Sequence, residues 1–334
     1  MSAPTAAILG CEGLILGADE AAFFRAASPW GFILFARNID TPAQVRRLTN
    51  DLRAAVGRTA PIFIDQEGGR VQRLRAPHWR EWPDPLVQAR AAGAMAHRAM
   101  ALRYRLIAQE LRDLGIDANC APTCDIATPD THRFLHDRCL GTTTNDVIAS
   151  ARACADGLRD GGVLPVIKHI PGHGRASTDS HLALPRVDAD AAQLHAEDFA
   201  VFRALADLPV AMTAHVLYPA LDPDLPATLS ARIIGMIRTQ IGFDGLLMTD
   251  DISMGALQGS LRGLTETALA AGCDMALHCN GKRAEMEAVL EGCTPLSGKA
   301  LTRALTAQGW APDPLPFDTN AALAQLAACD AGNV

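Results

Sequence analysis

A chain of 334 residues with 49% hydrophobic and 20% charged side chains can bury a large core, so its composition excludes a disordered protein. Its net charge of −7 would supply neither phosphate contacts nor attraction to an anionic bilayer, so no nucleic-acid or membrane partner is expected and a small or neutral ligand is. Nine cysteines, an odd number in apolar surroundings, suit reduced thiols packed as small hydrophobes rather than a disulfide framework.

The opening stretch MSAPTAAILGCEGLILG lacks a basic start, and Glu12 and Gly13 interrupt its apolar run. It reads as neither a secretory signal nor a membrane span, and the chain is expected to be cytoplasmic. Short apolar runs then recur at Ala6–Gly10, Gly31–Ala36, Pro61–Asp65, Ile116–Ala121, Val163–His169, Pro209–His215, Gly245–Asp250 and Cys273–Cys279. Each is too short for a typical helix, and its continuous hydrophobicity suits a strand buried on both faces of a parallel sheet. Helix starts lie between them: Thr41-Pro42 opens one, Thr143–Asp146 precedes a second and Thr228–Ser230 a third. Eight such repeats predict an α/β fold, a single (β/α)8 barrel of the TIM type. No GxGxxG follows an early strand to favour a dinucleotide fold. The Pro-rich stretch from about residue 311 predicts a wrap-around segment and a short terminal helix, within one domain spanning 1–334.

In such a barrel the site lies at the C-terminal ends of the strands. Those ends deliver Asp65, Asp125, Lys168, His169, His215, Asp250, Asp251 and Asn280. Charged side chains beside an apolar barrel are costly unless paired or used, so their repetition at one end predicts a polar site. The densest segment is KHIPGHGRASTDSH, Lys168–His181. Its Asp179-x-His181 spacing in an extended loop points both side chains to one side, where the carboxylate can hold one imidazole nitrogen and favour a proton-donating imidazolium. A zinc cluster drawn from His169, His173, Asp179 and His181, or a purely structural network, is the competing reading. In GLLMTDDISM, Asp250 would emerge at the mouth as nucleophile, base or metal ligand, while Asp251 could cap the next helix. In DQEGGRVQRL, Asp65 and Arg73 could hold neighbouring hydroxyls of a polar ligand; Glu67 either pairs with Arg70 or meets the ligand. Cys120 and Cys124, without further ligands at zinc spacing, do not predict a structural zinc site.

Taken together, GFILFARNI, IDQEGGRVQRL, GIDANCAP, DRCLG, KHIPGHG with DSH, AMTAHVLYPALD, MTDDISMGAL and AGCDMALHCN resemble, in order, glycoside hydrolase family 3, most closely its bacterial β-N-acetylglucosaminidases of cell-wall recycling. The resemblance implies Asp250 as catalytic nucleophile and His181 as general acid/base with Asp179 as its dyad partner. It implies Asp65, Arg73, Arg138, Lys168 and His169 as contacts to an N-acetylglucosamine ring. It further implies a retaining exo-hydrolase, without cofactor or metal and monomeric, that releases terminal β-1,4-linked N-acetylglucosamine from 1,6-anhydro-N-acetylmuramic acid or its peptides. Ile170, Cys139, Thr249 and the stretch His78–Trp82 depart from the family's usual residues. A sugar phosphorylase using phosphate as acceptor, and a sugar-binding protein without turnover, are the remaining alternatives.

Overall fold

The β-branched and aliphatic runs form eight strands: β1 (Thr5–Gly10), β2 (Pro29–Leu34), β3 (Ile62–Ile64), β4 (Ala118–Asn119), β5 (Leu164–Ile170), β6 (Val210–Thr213), β7 (Leu246–Asp251) and β8 (Met275–His278). In the computed structural model, which describes residues 3–180 and 183–331, they close into one barrel. Each strand pairs in parallel with the next in sequence, and β8 closes on β1 with Ala276 beside Ala7. The expected (β/α)8 barrel is therefore what the chain forms.

Alternation along the strands builds two cores. Ile8, Ile33, Phe63, Val166, Met248 and Leu277 point into the barrel, while Leu9, Leu34, Ile64, Ile167, Leu247 and Ala276 face the surrounding helices. Leu296, Ala304 and Ala307 join the inner set, so the helix Gly298–Gln308 closes the N-terminal end of the barrel. The polar groups at the opposite end are thereby left to line the mouth.

The helices start where side-chain acceptors offer a cap. Thr41 accepts from the Gln44 amide ahead of Pro42–Val56, Thr143 from Asp146 ahead of Thr144–Asp160, and Ser230 from Ile233 ahead of Ala231–Met236. Helices Ala96–Arg112 and Thr144–Asp160 meet closely at Gly157, where a Cβ would lie 2.4 Å from the Ala101 carbonyl oxygen. The C-terminal segment crosses this pair: the Leu315 amide donates to the Asp160 carbonyl, Arg105 donates to the Leu315 carbonyl, and its guanidinium lies 4.1 Å from the Phe317 ring centroid. Helix Thr319–Asp330, capped by Asp318, follows. Among the described residues no helix is long and apolar enough to cross a membrane. All nine cysteines are free.

Candidate active site

Asp65 leaves the end of β3 and is fixed from two sides. Lys168 Nζ donates to Oδ1 at 2.9 Å and Arg73 Nη2 to Oδ2 at 3.0 Å. Burial alone would raise its carboxyl, but these two cations hold it well below the usual carboxylate range. Arg73 in turn stacks over Phe35, 4.9 Å from the ring centroid. Three residues past β3, a short ribbon (Gln66–Gly68 with Val71–Gln72) turns Glu67 inward. Arg138 grips Glu67 with two bonds of 2.9 Å, and Lys168 approaches the same carboxylate at 2.5 Å. Burial would raise Glu67, yet Arg138 and Lys168 bring it down to about 2.

Glu67 therefore does not pair with Arg70. The ribbon turns Arg70 outward, where its backbone amide donates to Asp84, and Glu67 meets cations that lie far along the chain. Nor does Asp251 cap a helix. Its Oδ1 accepts from the amide and hydroxyl of Ser253, and the next helix, Leu261–Ala271, is capped by Ser260.

At the top of β5 the Lys168–His169 and Ile170–Pro171 peptide bonds are cis. His169 places Nδ1 2.7 Å from Asp125 Oδ2, which leaves Nε2 free of that carboxylate, and the amide of His173 donates to Asp125 Oδ1 at 2.5 Å. One carboxylate thus fixes both the ring of His169 and the start of the following loop. The loop is tied down again by Arg175, whose Nε lies 2.6 Å from Asp198, and by Tyr218, whose hydroxyl donates to the Gly172 carbonyl. At Gly174 a Cβ would sit 2.1 Å from the Ile126 carbonyl oxygen, so only glycine permits this approach.

Asp250 ends β7 and accepts from the Asp251 amide at 2.8 Å. Burial opposes its ionisation, but His215, His169, the Asp251 amide and Lys168 outweigh it and keep the carboxyl below its ordinary value, ionised at neutral pH. His215 braces the same corner: Nε2 donates to the Asp251 carbonyl at 3.0 Å, and Nδ1 lies 2.8 Å from the Thr228 hydroxyl.

Asp65, Arg73, Arg138, Lys168, His169 and Asp250 line one cavity. Its apolar wall comes from Ile33, Met212, Met254, Leu277 and Cys279, whose thiol burial pushes well above its usual range. Ser180, also on the wall, accepts from the Ala256 amide through its carbonyl, and the Asp179 carbonyl accepts from Ala183. His181 lies outside the described residues. Ile170, Cys139, Thr249 and His78–Trp82 do not line the cavity. A larger groove of about 300 Å³ runs past Arg90, His97 and Asp146, but no comparable set of buried charges converges on it. Among the described residues no group of three His, Cys, Asp or Glu side chains is arranged to hold a metal ion.

Comparison with known proteins shows the family and the fold. Residues 26–304 match the family model for the glycosyl hydrolase family 3 N terminal domain. A β-hexosaminidase from Alkalilimnicola ehrlichii is 40% identical over 281 residues, covering 82% of this chain and 80% of its own. Among solved structures, NagZ from Neisseria gonorrhoeae in complex with N-trifluoroacetyl-D-glucosamine superimposes with a TM-score of 0.88 at 27% identity, covering 98% of this chain and 99% of that one. A family 3 β-N-acetylglucosaminidase from Paenibacillus sp. superimposes with a TM-score of 0.85 at 29% identity, covering 97% of this chain and 67% of that one.

Proposed function

The chain belongs to glycoside hydrolase family 3, and on that premise we propose that it hydrolyses terminal β-1,4-linked N-acetylglucosamine with retention of configuration, through a glycosyl ester on Asp250. It is a β-N-acetylhexosaminidase. The observation that carries the mechanistic reading is a partly buried carboxylate, Asp250, held below its ordinary value and opening on the cavity that Asp65, Arg73, Arg138, Lys168 and His169 also line.

Cleaving a β-glycoside requires stabilising an oxocarbenium-like carbon while protonating a poor leaving oxygen, so two groups must act across one bond. Asp250 attacks the anomeric carbon. His181, oriented by Asp179, protonates the leaving oxygen and then takes a proton from the water that opens the ester. Asp65, Arg73, Lys168, Arg138 and His169 hold the ring. An imidazole in place of a second carboxylate lowers like-charge repulsion with the nucleophile. The aglycone of choice is 1,6-anhydro-N-acetylmuramic acid, with or without its peptide, a product of cell-wall turnover processed in the cytoplasm by one catalytic domain acting as a monomer.

Incubation with a slow 2-fluoro glycoside, followed by peptide mass spectrometry, should place the label on Asp250. Label elsewhere, or turnover with no adduct, contradicts the assignment. For His181→Ala the loss should be smaller on aryl glycosides with activated leaving groups than on the disaccharide, because they need little protonation; general acid catalysis contributes about 10²–10⁴-fold, enough to resolve.

A further inference from the structure

His173 sits three residues beyond the end of β5 and is 2% exposed. Its ring stands edge-on to His169 at 5.5 Å and to Phe134 at 5.7 Å between centroids, and it lines the cavity that holds Asp250. Its backbone amide is taken by Asp125. Among the described residues neither ring nitrogen meets a hydrogen-bond partner. Packing and the amide therefore fix the ring, and the nitrogens contribute nothing to holding the loop. A buried polar atom without a partner is costly, and a position that needed only an aromatic filler would be served better by phenylalanine.

Burial and the neighbouring His169 push the imidazole down to about 4, so at neutral pH it is uncharged and offers one donor and one acceptor. That pair matches a hydroxyl or an acetamido group. Anionic groups are served instead by Arg138 and Lys168 on the same wall.

We propose that His173 is a substrate-contacting residue, hydrogen-bonding an uncharged substituent, hydroxyl or acetamido, of the sugar held against Asp250. The proposal rests on the cavity being the sugar site. It makes the ring a discriminator as well as a ligand contact, since a sugar lacking that substituent leaves the nitrogens unpaired.

The test compares wild type with His173→Phe, which keeps the ring and removes the nitrogens, and His173→Gln, which restores a donor and an acceptor. N-acetylglucosamine binding is measured by calorimetry, kcat/KM on an aryl β-N-acetylglucosaminide, and thermal midpoints without ligand. His173→Phe should melt at or above the wild-type temperature yet bind and turn over about three- to tenfold less well, with His173→Gln recovering part of the loss. In ¹⁵N-histidine spectra of the wild type, the sugar should shift the His173 ring nitrogens. Wild-type binding and turnover in His173→Phe, a lowered melting point in both variants, or unmoved His173 resonances would each overturn the proposal. A wild type that neither binds nor hydrolyses would overturn the sugar-site reading along with it.

Discussion

Removing the carboxylate of Glu67 would leave Arg138 and Lys168 buried with a partner missing, and a broken buried pair typically costs about 3–5 kcal/mol. Glu67→Gln should therefore lose that order of stability in urea unfolding. The pH dependence follows from the lowered carboxyl: its contribution is complete above the ordinary value of 4.5 and disappears as pH falls toward about 2. The acid limb of the wild-type stability curve should thus flatten in the variant. Asp125→Asn tests the other buried carboxylate. An amide there can present its NH₂ to His169 Nδ1 and favour the opposite tautomer, so kcat/KM should fall by at least about tenfold, with the tautomer change visible in ¹⁵N spectra. These partners were only half legible in the sequence. Asp65, Lys168, His169 and Asp250 announce themselves by sitting at strand ends, but sequence proximity suggests Arg70 for Glu67, whereas the fold supplies Arg138, 71 positions away. His173 was visible as a loop histidine, yet nothing in its spacing reveals that its nitrogens are unpaired.

Strand positions were legible because residues buried on both faces leave an uninterrupted apolar run. β8 lies within its predicted stretch and β1 begins one residue before its own, at Thr5, whereas β2 begins two residues earlier, at Pro29, and β4 spans only Ala118–Asn119. Pro122 has no amide to donate just beyond β4, which helps explain why an apolar run need not continue as a ladder. The third helix is also less regular than its sequence suggests, changing at Ile237 from α-helical to π-helical pitch. The loop after β5 gives the sharpest test at this scale. In Gly174→Ala the new methyl meets the Ile126 backbone, so the loop must shift; overpacking of this kind costs about 1–3 kcal/mol. Catalysis should suffer more than folding, with kcat/KM falling by at least about tenfold while circular dichroism retains the native spectrum.

The barrel gathers its cavity from strands spread along the whole chain, while the C-terminal segment stays on the outside, against Ala96–Arg112 and Thr144–Asp160. Deleting residues 312–334 would expose the surface now covered by Ala322, Leu326 and Cys329 and strip Arg105 of its carbonyl and its ring. The thermal midpoint should drop by about 5–10 °C, and kcat/KM at low temperature should change by less than about threefold. The cavity's apolar wall has a different consequence. Two thioethers, Met212 and Met254, and the thiol of Cys279 face the same cavity as Asp250. Oxidation of a thioether installs a bulky dipole on a surface shaped for hydrocarbon, whereas the thiol, held protonated, is a poor target. Peroxide should accordingly inactivate the enzyme through sulfoxide at Met254, the less deeply buried of the two thioethers; bound N-acetylglucosamine should shield it, and Met254→Leu should outlast the wild type under the same oxidant.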